Sequence, residues 1–206
     1  MAEIAIVHLV DDDESYLKAA SRMLAAEGFN VVTFSSGAQL LAAVTPEIRG
    51  CIVADLNMPE IDGLQLQKML EEAGIHLPLV FLSGQGDIPS TVRAIRGGAV
   101  DFLEKHAPGA LIVEAIRRAL ERDAAESARR TEAMKVARRF ASLTRREKEV
   151  LGCVVRGLMN KQIAAQLGIS ERTVKMHRTA VTSKLGVHST AKLALLAKEA
   201  NLLEEL

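Results

Sequence analysis

Four apolar segments in the first half of the chain each lead to a polar residue suited to phosphoryl chemistry. The segments are Ile4–Val10, Cys51–Ala54, Leu77–Leu82 and Val100–Leu103, and the polar residues after them are Asp11, Asp12, Asp13, Asp55, Ser83 and Lys105. Because the carboxyl ends of parallel strands line one crevice, these side chains are predicted to meet in space. Carboxylates, a hydroxyl and an ammonium at one edge of a sheet indicate a small pocket for a metal ion and a phosphate.

The carboxylates Asp11, Asp12 and Asp55 predict a cation site. Like charges at neighbouring strand ends repel one another, so the site either raises carboxyl pKa values or recruits a cation. All-oxygen ligands suit a hard ion, and Mg²⁺ keeps water and phosphate oxygens beside a few carboxylates. Pro59 tightens the loop after Asp55, which can turn the backbone carbonyl of Asn57 toward the same ion.

Asp55 is the predicted nucleophile, because it ends a central strand. Once a cation screens the site, its carboxylate can attack an incoming phosphoryl group. Lys105 would bind oxygens that carry charge in the transition state, and Ser83 could donate a hydrogen bond to the bound group. Each residue alone has an ordinary explanation, such as a helix cap or a surface lysine, so the prediction depends on the whole set.

The first 120 or so residues alternate strand and helix, which predicts a doubly wound parallel five-stranded sheet with right-handed crossovers. The predicted strands are Ile4–Val10, Asn30–Phe34, Cys51–Asp55, Leu79–Ser83 and Val100–Glu104. The predicted helices between them are Glu14–Glu27, Gly37–Val44, Leu64–Ala73 and Pro89–Arg96. A further helix opens at Pro108 and has no stop until about Ala141. Its second half indicates an exposed helical linker or a dimer-forming coiled segment, and the linker is favoured because the apolar stripe thins after Leu120.

Charge is divided unequally along the 206 residues. Residues 1–123 carry 10 Lys+Arg and 18 Asp+Glu, a net charge of −8, whereas residues 124–206 carry 16 and 8, a net charge of +8. This asymmetry predicts an acidic module joined to one that meets a polyanion. Cys51 and Cys153 sit in apolar segments typical of buried thiols in a reducing compartment. No membrane span or signal peptide is predicted, which favours a cytoplasmic location.

Residues 142–206 contain no strand signal and predict an all-α domain of four helices: Thr144–Val155, Lys161–Leu167, Glu171–Leu185 and Thr190–Ala200. The second and third have the proportions of a helix-turn-helix, whose second helix enters the major groove of DNA. Ser170 is the predicted N-cap of that helix. Its inward face is predicted to consist of Val174, Val181 and Leu185, so the rest of its surface is available for DNA.

The outward face of Glu171–Leu185 supplies the predicted DNA contacts. Lys175 is the leading candidate for a base or phosphate contact, and Thr179 and Met176 are placed to meet base edges. Arg178 and Lys161 are predicted to contact phosphates, which positions the protein without reading sequence.

The segments VHLVDDDE, VADLNMPEIDG, LSGQGD and GAVDFLEK resemble the receiver domain of two-component response regulators, over about residues 3–122. The resemblance implies a flavodoxin-like fold and a histidine kinase that phosphorylates one aspartate. The matching positions are Asp55 as phosphoacceptor, Asp11, Asp12, Asp55 and Asn57 for Mg²⁺, and Ser83, Phe102 and Lys105 as phosphate-binding and switch residues. No enzymatic activity is implied beyond phosphoryl acceptance and slow autodephosphorylation.

One residue departs from this family pattern, in which proline usually follows the lysine through a cis bond. Here His106 follows Lys105. A cis bond before a residue other than proline costs about 2.5–4 kcal/mol. Either the Lys105–His106 bond is strained, or it is trans and Lys105 points differently. His106→Pro is therefore predicted to speed phosphorylation of Asp55 by a small-molecule phosphodonor.

Residues 142–200 resemble the LuxR-type DNA-binding domain, which places the chain beside the NarL/FixJ group of regulators. The carried-over positions on the helix-turn-helix include Asn160, Lys161, Ser170, Thr173 and Lys175. The resemblance implies double-stranded operator DNA as a partner and a homodimer when phosphorylated. The predicted domains are a receiver at 3–122, a helical linker at 123–141 and a DNA-binding domain at 142–206.

Two alternatives remain open at this point. A metal-dependent phosphatase or nuclease could use the same acidic pocket, although Asn57 stands where a phosphatase of this chemistry usually has its general acid. The second is a regulator that works without phosphorylation and whose receiver only dimerises, which the departure at His106 leaves open.

Overall fold

The chain divides into two compact units, Met1–Ser127 and Ala128–Leu206. The structure is a computed structural model that describes residues 6–84, 88–187, 189, 192, 193 and 195. One helix, α5 (Gly109–Ala141), crosses the boundary between the units. The domain limits at residues 122 and 142 stay predictions.

The first unit is a five-stranded parallel sheet with helices on both faces, so the predicted fold class is confirmed. Its strands are β1 (Ile6–Val10), β2 (Asn30–Phe34), β3 (Gly50–Asp55), β4 (Leu79–Ser83) and β5 (Asp101–Glu104). Its helices are α1 (Glu14–Ala26), α2 (Gly37–Ala43), α3 (Gly63–Glu72), α4 (Ile88–Arg96) and the first part of α5. The strand order β2-β1-β3-β4-β5 puts β1 and β3 side by side, and β4 follows β3.

Each face of the sheet covers its own apolar core. One core contains Val7, Leu9 and Val53 from the sheet, packed under apolar residues of α1 and α5. The other contains Val10 and Ile52, packed under α2, α3 and α4. The central strands read as continuous apolar segments because both their faces are buried.

Side-chain caps explain small differences between predicted and observed helix limits. The carboxylate of Asp62 accepts from Gln65 N at 2.7 Å, and the Gln65 side chain accepts from Asp62 N at 2.9 Å. This reciprocal capping box starts α3 at Gly63, one residue before the predicted start. Ser36 caps α2 in a similar way, accepting from Gln39 N at 3.2 Å.

A buried ion pair ties α5 to the amino edge of the sheet. Asp123 is 1% exposed, and its Oδ2 accepts from Arg49 Nε at 2.9 Å and from Gly50 N at 3.0 Å. Arg49 also donates to the Asp123 carbonyl and to the Ser127 hydroxyl. The loop before β3 is thereby fixed to the helix that leaves this unit.

The second unit has a core built around three helices, α6 (Arg145–Val155), α7 (Asn160–Leu167) and α8 (Glu171–Leu185). Phe140, near the end of α5, is buried in the same core. The predicted inward face of α8 is confirmed, because Val174, Val181 and Leu185 are all buried. The predicted fourth helix, Thr190–Ala200, lies outside the described residues except for 192, 193 and 195. Within the described part of the chain, no helix is long and apolar enough to cross a membrane.

His8 makes the stability of the first unit depend on pH. It is 2% exposed in β1, and loss of hydration lowers the pKa of its imidazole below the ordinary 6.5, against a weaker opposing effect of the Arg49 backbone. Because the unfolded chain binds this proton more readily, the free energy of unfolding should fall as pH drops below about 6.5.

We expect the contribution of His8 to that fall to be at most about 1.4 kcal/mol per pH unit, the limit for one proton. Urea unfolding at pH 7.5 and pH 5.5 measures it, with His8→Leu as the comparison. If the free energy of unfolding fell as steeply with pH in His8→Leu, the fall could not be attributed to His8.

Candidate functional site

Three carboxylates meet at the carboxyl edge of the sheet. The register pairs Val10 of β1 with Ala54 of β3, so Asp11 and Asp55 leave the sheet side by side. Both are buried, at 1% and 6% exposure, whereas Asp12 is exposed. One oxygen from each of the three carboxylates lies within 4.8 Å of the others. The three predicted acidic ligands are therefore close enough to share one ion.

Lys105 lies in the same cluster. Its backbone N donates to Ser83 O at 2.9 Å, which fixes the start of the side chain beside the end of β4. Its Nζ lies 2.5 Å from Asp11 Oδ2 and 3.0 Å from Asp55 Oδ2. Burial acts to lower the pKa of Lys105, but hydrogen bonds and charge from these two carboxylates outweigh it and raise the pKa. Lys105 is therefore a cation at neutral pH.

The Lys105–His106 peptide bond is trans, since the described residues contain no cis bond. The strained cis bond is thereby excluded, and the bond is trans, as the second alternative has it. The Lys105 ammonium still reaches the acidic cluster. The backbone bond to Ser83 and the two carboxylates keep the ammonium in place. The effect of His106→Pro stays a prediction.

Two buried oxygen atoms at this edge have no hydrogen-bond partner among the described residues, namely Asp55 Oδ1 and Ser83 Oγ. A buried polar atom without a partner costs about 1–3 kcal/mol, so such atoms call for an explanation. The carboxylate oxygen can act as a nucleophile, and the hydroxyl can donate to an oxyanion. A phosphoryl group on Asp55 would give Ser83 an acceptor.

Asn57 and Phe102 are the other two predicted residues of this site. Asn57 is exposed in the loop after β3. Phe102, the predicted switch aromatic, is half-buried in β5, and its ring centroid lies 6.4 Å from that of Phe81. The acidic cluster, Ser83 and Lys105 are thus brought together, while Asn57 lies in a loop that faces solvent.

The cluster fits a hard divalent cation. Three carboxylates supply only oxygen ligands, and the exposed Asp12 leaves one side open to water. Mg²⁺ prefers this arrangement, because it keeps several waters and uses few protein ligands. Burial raises the pKa of Asp11, and the Asp55 carboxylate adds to the effect while Lys105 opposes it. A bound cation would favour the ionised form of Asp11.

Tyr16 is a member of this site that sequence reasoning missed. The Nζ of Lys105 lies 4.8 Å from the centroid of the Tyr16 ring. Tyr16 stands in the first turn of α1, 89 positions before Lys105 in the chain. The run of three aspartates before α1 contained a usable signal, because an aspartate directly before a helix commonly caps it and fixes its first turn.

In the second unit, α7 and α8 form the predicted helix-turn-helix. Gly168 ends α7 with φ +63°, and Ser170 Oγ accepts from Thr173 N at 3.1 Å, which starts α8. Met176 is 63% exposed, and Lys175 and Thr179 are also exposed. These three predicted contacts lie on the open surface of α8.

The other predicted contacts bond within the domain or start α7. Arg178 Nη1 donates to Asn160 Oδ1 at 2.8 Å, so these two residues link α8 to α7. The hydroxyls of Ser170 and Thr173 lie 2.8 Å apart at the start of α8. Lys161 is exposed on the first turn of α7. Of the predicted set, Lys161, Lys175 and Met176 combine an exposed position with a long side chain. The hydroxyl of Thr179, which is also exposed, donates to the Lys175 carbonyl oxygen at 3.0 Å.

An ion pair between a buried carboxylate and an exposed lysine holds α8 against the start of α6. Glu147 is 5% exposed, and Lys184 Nζ donates to its Oε2 at 2.7 Å. The same Oε2 accepts from Thr144 N at 2.7 Å as part of a capping box. The hydrogen bond from Lys184, the largest effect, holds the pKa of Glu147 below its usual range. The position of α8 is thus set by charge as well as by packing.

Comparisons with known proteins agree with this arrangement. A family model described as the response regulator receiver domain matches residues 7–117, and one for bacterial regulatory proteins of the luxR family matches residues 141–197. The transcriptional regulatory protein FixJ of Azorhizobium caulinodans is 41% identical over 197 residues, 96% of this chain and 93% of that protein. Nodulation protein W of Bradyrhizobium diazoefficiens is 38% identical, over 94% of this chain and 86% of that protein.

A solved structure of the response regulator StyR is also similar along the whole chain. It has 40% sequence identity and a TM-score of 0.89, and the match covers 96% of this chain and 100% of that one. A receiver domain with an acidic cluster, joined to a helix-turn-helix domain, defines a two-component response regulator. The chain belongs to the NarL/FixJ group of response regulators, with a receiver domain and a LuxR-type DNA-binding domain.

Proposed function

We propose that Asp55 accepts a phosphoryl group from a partner histidine kinase and that this modification controls DNA binding by the LuxR-type domain. Membership of the response regulator family supports a kinase partner and a DNA partner in general terms. The single observation that carries the choice of Asp55 is its buried Oδ1, which has no partner among the described residues, beside the equally unpartnered Ser83 Oγ.

The transfer would proceed by attack of an Asp55 oxygen on phosphorus. A bond forms between that oxygen and phosphorus, the bond from phosphorus to the kinase histidine nitrogen breaks, and the nitrogen keeps the electron pair. Lys105 Nζ, now 2.5 Å from Asp11 Oδ2 and 3.0 Å from Asp55 Oδ2, would leave Asp11 and bind the new phosphoryl oxygens. Ser83 would donate to another of them. The loss of Lys105 from Asp11 would favour reorganisation of the β4–β5 edge.

Asp11, Asp12 and Asp55 would hold Mg²⁺, and the backbone carbonyl of Asn57 is a further candidate ligand. The ion, when bound, would neutralise charge on the transferring phosphoryl oxygens. Asp12 is the exposed member of the set, so it would meet the ion on its solvent side.

The change at the receiver would reach DNA by pairing two chains or by releasing the DNA-binding domain. A modification shifts such an equilibrium only through contacts that differ between the two forms. Here those contacts are Ser83 and Lys105 to the phosphoryl group. Phe102 lies on β5 opposite Phe81 of β4, three residues before Lys105, and it would respond to their movement.

Incubation of the full chain with acetyl phosphate and Mg²⁺ tests whether Asp55 accepts a phosphoryl group. We expect intact mass to rise by one phosphoryl group, the modification to be labile to hydroxylamine, and peptide mapping to place it at Asp55. Asp55→Asn should take up none, and Asp62→Asn, at the half-buried N-cap of α3, should behave as the unsubstituted protein. Phosphorylation that persists in Asp55→Asn, or steady release of phosphate from phosphomonoesters, would overturn it.

Beryllofluoride with Mg²⁺ tests whether the modification controls DNA binding, because it mimics the phosphoryl group without turnover. We expect it to increase binding of the full chain to DNA fragments from its own genome, and Ser83→Ala to weaken the increase about tenfold through loss of one hydrogen bond to an anion. Equal DNA binding with and without beryllofluoride would leave a constitutive DNA binder.

Lys175→Ala should weaken binding to mixed-sequence double-stranded DNA and flatten its salt dependence. Loss of one phosphate contact lowers the slope of log affinity against log salt by about 0.9. Fluorescence anisotropy from 50 to 200 mM salt measures it. Lys148→Ala removes the same charge from an exposed position on α6 and should leave the slope unchanged. Equal slopes in the two variants would show that Lys175 lies outside the interface.

A further inference from the structure

Tyr16 places an aromatic ring against the ammonium of Lys105. The distance from Lys105 Nζ to the ring centroid is 4.8 Å, and the ring is half-buried against the core on the α1 and α5 side of the sheet. A lysine ammonium within about 6 Å of a ring face is attracted by the negative charge of that face. The ring is therefore a third contact of the ammonium, in addition to Asp11 and Asp55.

The chain before α1 is built so that Tyr16 takes this place. Asp13 N donates to Asp11 Oδ1 at 3.0 Å, which ties the turn to a buried member of the acidic cluster. The Asp13 carboxylate in turn accepts from Ser15 N at 2.8 Å and from Tyr16 N at 3.1 Å. These bonds set the first turn of α1 relative to the acidic cluster, and the Tyr16 ring with it.

The residue after Lys105 makes no comparable contribution. His106 Nε2 lies 2.8 Å from Glu104 Oε2, and the two side chains are 74% and 59% exposed. The imidazole thus faces solvent, whereas the Lys105 side chain is only 19% exposed. The direction of Lys105 is set by the groups that surround its ammonium.

We propose that Tyr16 is a positioning residue for Lys105 and thereby sets the rate at which Asp55 is phosphorylated, an inference that rests on the proposed function of Asp55. Without the ring, the flexible lysine stem could turn its ammonium toward solvent on the side of α1. With the ring, Nζ stays beside Asp55, where phosphoryl oxygens arrive. The tyrosine touches neither phosphorus nor the attacking oxygen in this scheme.

Two variants separate the ring from its hydroxyl. Tyr16→Phe keeps the aromatic face, and we expect its rate of phosphorylation by acetyl phosphate to stay within about twofold of the unsubstituted protein. Tyr16→Leu keeps apolar bulk but loses the face, and we expect a rate about twofold to thirtyfold lower. In a Lys105→Ala background, Tyr16→Leu should have no further effect, because its influence passes through the lysine. Circular dichroism checks that each variant is folded.

A second measurement is independent of phosphorylation. The Cε–Hε NMR signal of Lys105, assigned by its loss in Lys105→Arg, should be shifted by the ring current in the unsubstituted protein and in Tyr16→Phe. It should move toward the free-lysine position in Tyr16→Leu.

The outcomes separate this inference from the proposed function. An unmoved Lys105 signal in Tyr16→Leu would overturn the inference, as would an unchanged phosphorylation rate in that variant. So would a further loss of rate when Tyr16→Leu is added to Lys105→Ala. Absence of Asp55 phosphorylation in the unsubstituted protein would contradict the proposed function instead, while the NMR comparison would still decide whether Tyr16 holds Lys105.

Discussion

Asp123→Ala should lower the free energy of unfolding of the receiver domain by about 3–5 kcal/mol, the usual effect of removing one partner from a buried ion pair. The Asp123 carboxylate is 1% exposed and accepts from both Arg49 Nε and Gly50 N. Its removal leaves the Arg49 Nε–H and the Gly50 N–H without their acceptor and the mostly buried guanidinium without its countercharge. A loss of this size is a large share of the stability of a single domain.

The chain offers a direct probe of this loss. Tyr16 is the single tyrosine and there is no tryptophan, so tyrosine fluorescence during urea unfolding reports on the receiver alone. Glu114→Ala is the matched control, because it removes a carboxylate from the same helix that pairs with Arg118 at an exposed position. That control should cost less than about 1 kcal/mol. Equal losses in the two variants would mean that burial adds nothing to the pair at Asp123.

Much of the receiver fold could be predicted from sequence because its signals are local. β2 and β4 begin and end where their apolar patterns do, and α8 spans the predicted Glu171–Leu185. The meeting of Asp11, Asp55 and Lys105 also follows, since parallel strands of known order must bring their carboxyl ends together. Those predictions needed only periodicity and topology.

Contacts between residues far apart on helices and loops could not be predicted in the same way. Arg49 and Asp123 are 74 positions apart, and neither interrupts an apolar pattern that would mark it as buried. The aspartate before α1 predicts where its first turn begins, but Tyr16 also fits the amphipathic pattern of the helix, so its ring could equally belong to the core. Arg178 looks like a phosphate contact by charge alone, yet its guanidinium bonds to Asn160. In each case the partner is selected by tertiary packing.

The direction of Lys105 shows how a departure from a family pattern can be compensated. His106 removes the proline that usually follows this lysine, and sequence alone left its direction open. The ammonium nevertheless reaches both carboxylates through a trans bond. Charge attraction at 2.5 and 3.0 Å, together with the Tyr16 ring, supplies the constraint that the neighbouring residue does not.

Gly50→Ala should destabilise the receiver domain by more than about 4 kcal/mol. Losses of this size are exceptional for single substitutions and have a specific structural cause. Gly50 has φ +129°, and a Cβ there would lie 1.9 Å from the carbonyl oxygen of Ile6. The obstacle is backbone, so no side-chain rotation relieves it. Ile6 and Gly50 are paired in the register of β1 and β3, so the two central strands would have to separate at their first rung. The same shift would pull Gly50 N from Asp123 Oδ2 and disturb the ion pair beside it.

Gly74→Ala separates the effect of left-handed backbone on this loss from the effect of the clash with Ile6. Gly74 also has a positive φ, +70°, but a Cβ there would meet nothing within 4 Å. Its substitution should therefore show only the intrinsic preference of alanine against left-handed backbone, about 1–2 kcal/mol. The difference between the two variants in tyrosine-monitored urea unfolding isolates the effect of the clash with Ile6. A difference below about 1 kcal/mol would mean that the paired ends of β1 and β3 can relax around the new Cβ. The amino end of the sheet would then be far more deformable than its hydrogen bonds to Arg49 and Asp123 indicate.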